Sequence, residues 1–114
     1  MENLSLSEYQ NQAMRTAIYP LPDGEGFPVY PILGLTGEAG EVAEKVKKVL
    51  RDKDGIATKD DLREIAKELG DVLWYVAAIA GHTGYSLEEI AQMNLDKLSD
   101  RKDRGALGGS GDNR

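Results

Sequence analysis

The sequence predicts an all-α fold, four-helix-bundle-like. Three observations predict it. Apolar residues recur at three- and four-residue spacing through four stretches, the mark of a buried helix face. Two Ser-x-x-Glu steps, Ser5 to Glu8 and Ser86 to Glu89, have the form of capping boxes that open helices. No stretch alternates apolar and polar residues strongly enough to read as a strand.

The first helix is expected over about Ser5 to Ile18, with Leu6, Tyr9, Ala13 and Ala17 on its apolar face. The next stretch, Tyr19 to Pro31, holds four prolines and two glycines, which end that helix and forbid another until about Pro31. A loop of that length in a small domain is more often functional than idle. The second helix is expected from about Pro31 to Arg51, with the stripe Ala39, Val42, Ala43, Val46, Val49 and Leu50, since proline is tolerated in a first turn. Gly34, Gly37 and Gly40 interrupt it, each costing roughly 1 kcal/mol against alanine, and would admit a neighbouring backbone or ligand. Lys53-Asp54-Gly55 reads as a turn. The third helix starts near Lys59 to Asp61, capped by Thr58. It carries Leu62, Ile65, Leu69, Val72, Leu73, Val76 and Ile79, and ends near Gly81. The fourth opens at Ser86 and continues through Ile90, Ala91, Leu95 and Leu98 to about Lys102. Residues 105–114, Gly-Ala-Leu-Gly-Gly-Ser-Gly-Asp-Asn-Arg, hold too little apolar surface to offset their ordering entropy and read as a flexible tail.

At 114 residues the chain suits one domain, taken as 1–104 with the tail at 105–114. There are no cysteines, which excludes a disulfide framework, thiolate zinc sites and a cysteine nucleophile. No apolar stretch nears the roughly 20 residues that span a bilayer, and Met1 to Ser7 lack a signal-peptide pattern. The expectation is a cytoplasmic protein with no membrane partner. Its net charge of −6 and the absence of a basic stripe argue against a nucleic-acid polymer as partner.

The chemistry lies in two acidic steps. Glu38 and Glu41 form an E-x-x-E step on the second helix, and Glu68 and Asp71 form an E-x-x-D step on the third. Residues three apart share a helix face. One such step alone is usually solvated surface. Two, each bordering an apolar stripe, place up to four carboxylates at one spot, which is costly unless a cation joins them. Mg²⁺ suits an all-oxygen set, and Mn²⁺ substitutes for it. On the fourth helix, Asn94 falls in register with Leu87, Ile90, Ala91 and Leu98. Lys97 and Arg101 follow at i+3 and i+7. They read either as a buried polar residue with ordinary surface bases, or as a ligand contact with two phosphate-holding cations. Tyr75 stands one turn beyond Asp71, as a core-edge tyrosine or as a substrate contact. Leu21, Phe27, Tyr30 and Trp74 are plausible parts of a base pocket, and the single histidine, His82, reads as structural or surface.

With these residues assembled, the chain resembles the MazG-like nucleoside triphosphate pyrophosphohydrolases, of the all-α NTP pyrophosphatase superfamily. The resemblance rests on Gly34 to Lys48 (GLTGEAGEVAEKVKK), Lys67 to Tyr75 (KELGDVLWY) and Asn94 to Arg101 (NLDKLSDR), in that order. It implies that Glu38, Glu41, Glu68 and Asp71 bind Mg²⁺, and that Tyr75, Asn94, Lys97 and Arg101 meet the substrate. It also implies cleavage of (deoxy)nucleoside triphosphates to the monophosphate and pyrophosphate, in homodimers or homotetramers that pair helices across subunits. Metal-activated water would attack the α-phosphorus, with Glu38 or Glu41 as base. Phosphoribosyl-ATP pyrophosphohydrolysis is a sister reading. A non-catalytic helical oligomerisation module is an alternative of another class. A di-iron bundle fits less well, because no Glu-x-x-His step is present.

Overall fold

The structure is a computed structural model that describes residues 3–20 and 28–113. Four helices follow in order: α1 (Leu6–Met14), α2 (Val29–Asp52), α3 (Lys59–Thr83) and α4 (Leu87–Asp103), with no strand among the described residues. Thus the chain is all-α, as its periodicity predicts.

The long antiparallel pair α2–α3 is the main body, and α2 packs on α3 alone. The turn between them is pinned by Lys53, whose Nζ meets both carboxylate oxygens of Asp61 at 2.8 Å. Lys53 and the Thr58 amide together hold the Asp61 carboxyl at about 2. Thr58 caps α3 as expected, in a reciprocal box with Asp61. At the other end of α3, Ala77 and Ala80 form a small core with Leu87, packed by Tyr9, Met14, Val76 and Ile90. The small alanine side chains let α1 and α4 come close to α3. Gln10, which the sequence pattern gives no reason to single out, stitches the three helices together. Its amide donates to the Ala77 and Tyr85 carbonyls at 3.1 and 3.3 Å, and its Oε1 accepts from the Leu87 N–H at 3.0 Å.

Five boundaries differ from expectation, three of them for visible reasons; one is the end of α2, at Asp52 rather than Arg51. α1 ends at Met14 rather than Ile18. The Ala13 carbonyl, which would accept from the Ala17 N–H in a continued helix, instead receives the Trp74 indole N–H at 3.1 Å, and Ala17 turns to Met14. α2 begins two residues before Pro31, which falls in the first turn, where its missing N–H has no partner to lose. α3 runs past Gly81 to Thr83. Gly84, at φ +85°, stops it, with the Tyr85 N–H returning to the Ala80 carbonyl at 2.9 Å. α4 extends one residue beyond Lys102, to Asp103.

The chain is open. Its radius of gyration is 17.1 Å, against about 13 Å for a compact domain of this length. Large apolar side chains stand in water on both faces of the expected stripes: Leu50 is 64 % exposed, Leu69 52 % and Leu95 60 %. Past Ala91 the apolar side of α4 is covered by no other helix, and Asn94 is exposed beside Met93 and Leu95 rather than set in an interior. The described part of the 105–114 segment, read from sequence as a flexible tail, meets the end of α4 through Ala106 and Asp112.

Candidate active site

Three of the four acids converge. Glu38 from α2 meets Glu68 and Asp71 from α3, each with a carboxylate oxygen within 4.8 Å of the others. Oxygens on opposite sides of a Mg²⁺ ion lie about 4.2 Å apart, from bonds of about 2.1 Å, so the trio is close to gripping distance. The donor set is all oxygen and anionic, which fits a hard divalent cation. The Glu38 carboxyl is pushed above its ordinary range, first by burial, then by Asp71 and Glu68. Burial and neighbouring anions both disfavour its charged form.

Glu41 is exposed and lies outside this trio. A three-residue step turns about 60° short of a full helical turn, enough to swing Glu41 off the α3 side while Glu38 stays on it. Lys45 occupies the α2 position that reaches across instead. Its Nζ lies 3.7 Å from Glu68 and 3.6 Å from Glu64. Sequence reasoning did not single out Lys45. The signal was its i+7 spacing from Glu38.

Tyr75 stands beside the acids, in an open cleft that it lines with Glu38, Asp71 and Trp74. Gly34 makes this possible: a Cβ built there would collide with the Tyr75 ring. Gly37 and Gly40, expected to admit a close neighbour, face open space instead. The Tyr75 hydroxyl is held above its usual range by burial, then by Tyr30, Glu38 and Asp71. An aromatic wall continues from it. Trp74 meets Tyr75 edge-on at 5.0 Å and Tyr19 at 6.0 Å, and Tyr19 stacks on Tyr30 at 5.2 Å. The Tyr19 hydroxyl and His82 Nε2 are 2.6 Å apart, so the lone histidine supports this wall. Trp74 also anchors the end of α1 through its indole N–H. Leu21 and Phe27 lie outside the described residues.

The α4 residues are not part of this cluster within one chain. Asn94 and Lys97 line a separate hollow with Ile90 and Met93. Arg101 is 4 % exposed, unlike an ordinary surface base. Its Nη2 donates to the Asp112 carbonyl at 2.9 Å, and Lys97 Nζ meets the Asp112 carboxylate at 2.9 Å.

The arrangement thus pairs an oxygen trap with an aromatic wall on one long hairpin. Residues 31–105, which carry that hairpin and α4, match the MazG nucleotide pyrophosphohydrolase domain. The chain belongs to the MazG family. This MazG domain is also similar to the Gene 37 protein of Mycobacterium phage L5, 52 % identical over 110 residues, covering 93 % of this chain and 96 % of that one. No solved structure gives a significant match. Nucleotide pyrophosphohydrolysis is therefore the activity class of the MazG domain. No helix among the described residues is long and apolar enough to cross a membrane.

Proposed function

We propose that this MazG domain hydrolyses (deoxy)nucleoside triphosphates to the nucleoside monophosphate and pyrophosphate. The observation that carries this is the convergence of Glu38, Glu68 and Asp71 beside Tyr75 and Trp74. Glu38, Glu68 and Asp71 would hold Mg²⁺, or Mn²⁺ in its place. The bound ion would neutralise triphosphate charge and make a water more acidic. Glu41, outside the trio, would accept the proton of an attacking water as its oxygen bonds to the α-phosphorus. The bond from the α-phosphorus to the bridging oxygen breaks, and pyrophosphate leaves. The Tyr75–Trp74 wall offers flat faces for the base, and Asn94, Lys97 and Arg101 offer donors for phosphate and sugar.

A homodimer or homotetramer fits this reading. The carboxylates sit on α2 and α3, while the phosphate-binding cations sit on α4, which does not pack on α2. A second copy covering the exposed leucines would bring further helices to the hairpin.

The test is a panel of common NTPs and dNTPs, with phosphoribosyl-ATP as a separate arm, followed for monophosphate and pyrophosphate with Mg²⁺ and with chelator. Asp71→Asn is expected to lower turnover by at least about a hundredfold, an electrostatic loss of the size seen when one charge-stabilising group is removed, with helicity kept. Full metal-dependent turnover in Asp71→Asn overturns the site.

A further inference from the structure

The C-terminal segment places an acid, Asp112, on two cations. Asp112 Oδ1 lies 2.9 Å from Lys97 Nζ and 3.3 Å from Arg101 Nη2. The same Nη2 donates to the carbonyls of Asp112 and Gly111, at 2.9 and 3.4 Å. Arg101 is almost fully buried, yet its Nε–H has no partner among the described residues. A guanidinium offers Nε–H and an Nη–H as one side-on fork, matched to two oxygens of a single anion. Here only one arm of that fork is used. Its acceptors are two backbone carbonyls and one oxygen of the Asp112 carboxylate, which together leave the other arm unpaired, and Asp112 is itself largely in solvent.

A phosphate has the oxygens to serve both arms and Lys97 together. The connection back to Asp112 is short and glycine-rich, with Gly105, Gly109 and Gly111 all at positive φ. A chain of that kind bends readily onto its own helix. It presents its acid at an effective concentration on the order of millimolar.

We propose that Asp112 is a tethered stand-in for phosphate: the C-terminal segment occupies the Lys97–Arg101 anion site and must leave before a phosphorylated ligand enters. This rests on the reading of Lys97 and Arg101 as phosphate-binding. The segment is then an autoinhibitory contact that raises the ligand concentration needed for binding. Lys97 and Arg101 in turn hold the Asp112 carboxyl below its usual range, so the contact is formed by the charged acid at neutral pH.

The experiment compares the full chain with Asp112→Asn in two assays. Inorganic pyrophosphate binding is measured by calorimetry, and KM and kcat are measured for whichever triphosphate is turned over. Asp112→Asn is expected to bind pyrophosphate roughly three- to tenfold more tightly, the effect of releasing two partly exposed ion pairs. KM falls by a similar factor and kcat holds. Adding Lys97→Met to that variant removes the gain. Unchanged pyrophosphate affinity and KM in Asp112→Asn overturns the proposal, as does a gain that survives Lys97→Met. Tighter pyrophosphate binding with no hydrolysis of any nucleotide upholds the tethered acid and overturns the enzymatic reading alone.

Discussion

Glu38→Gln separates the structural cost of the acid cluster from its use. The nearest oxygens of Glu38, Glu68 and Asp71 lie within 4.8 Å of one another. At that separation two unit charges repel by about 0.9 kcal/mol under water-like screening. Glu38 faces two such neighbours, and Lys45 offsets part of the repulsion at Glu68. Neutralising Glu38 is therefore expected to stabilise the metal-free protein by about 1 to 2 kcal/mol, or about 4 °C per kcal/mol at this size. In saturating Mg²⁺ the order reverses. At a hundred times its dissociation constant, the ion stabilises the wild-type protein by about 2.7 kcal/mol, and the variant loses most of that gain. The assay is urea and thermal unfolding followed by far-UV circular dichroism, at one protein concentration, in EDTA and in Mg²⁺. The pH response gives a second readout. A carboxyl whose folded pKa lies above its unfolded value binds its proton more tightly when folded. In EDTA the Glu38 contribution therefore improves as pH falls through its raised folded value toward the unfolded value near 4.5, and levels off below it. In Mg²⁺ the same acidification works against stability, because protons displace the ion. A variant less stable than wild type in EDTA, with an undiminished Mg²⁺ response, refutes the crowding argument.

Two further outcomes follow from the packing. Gln10→Ala strands the buried Leu87 N–H and frees the Ala77 carbonyl, so a loss of about 2 to 4 kcal/mol is expected from one or two unmet buried groups. Urea unfolding checks it, and a change under 0.5 kcal/mol removes Gln10 as the clasp of α1, α3 and α4. The wild-type chain is expected to sediment at a multiple of its 12.4 kDa, and Leu69→Lys to shift it toward that mass with helicity intact. A wild-type monomer at micromolar concentration sinks the assembly proposal.

Much of this molecule is legible in its sequence because local rules decide it. Ser5, Thr58 and Ser86 each accept from the backbone N–H three residues on, and the two capping boxes read from Ser5 and Ser86 form as written. The apolar stripes give α2 and α3 their length, and of the two acidic steps bordering them the α3 step, Glu68 and Asp71, meets Glu38 as a whole while the α2 step contributes Glu38 alone. What periodicity leaves open is any choice made by another helix. At the end of α1 the Ala13 carbonyl takes the indole N–H of Trp74, 61 residues away in sequence, alongside the N–H and hydroxyl of Thr16. Helical phase alone places Glu38 and Glu41 on one broad face. The angle at which α3 packs then decides that Glu38 joins the trio and that Lys45 reaches Glu68.

The α4 residues show the same limit more sharply. Register with Leu87 and Ile90 points Asn94 toward an apolar side, and that side is real. Yet among the described helices α4 meets only α1 and α3, and Leu95 and Leu98 further along its stripe stay exposed. An apolar stripe records that a face is to be covered without recording by what. Arg101 carries the converse lesson. Composition ranks it with the surface bases, but a charge buried that deeply persists only with acceptors supplied to it. The acceptors come from residues 111 and 112, in a segment whose glycine-rich composition had argued against any defined contact. The buried guanidinium, not the apolar content of the tail, determines where that segment lies.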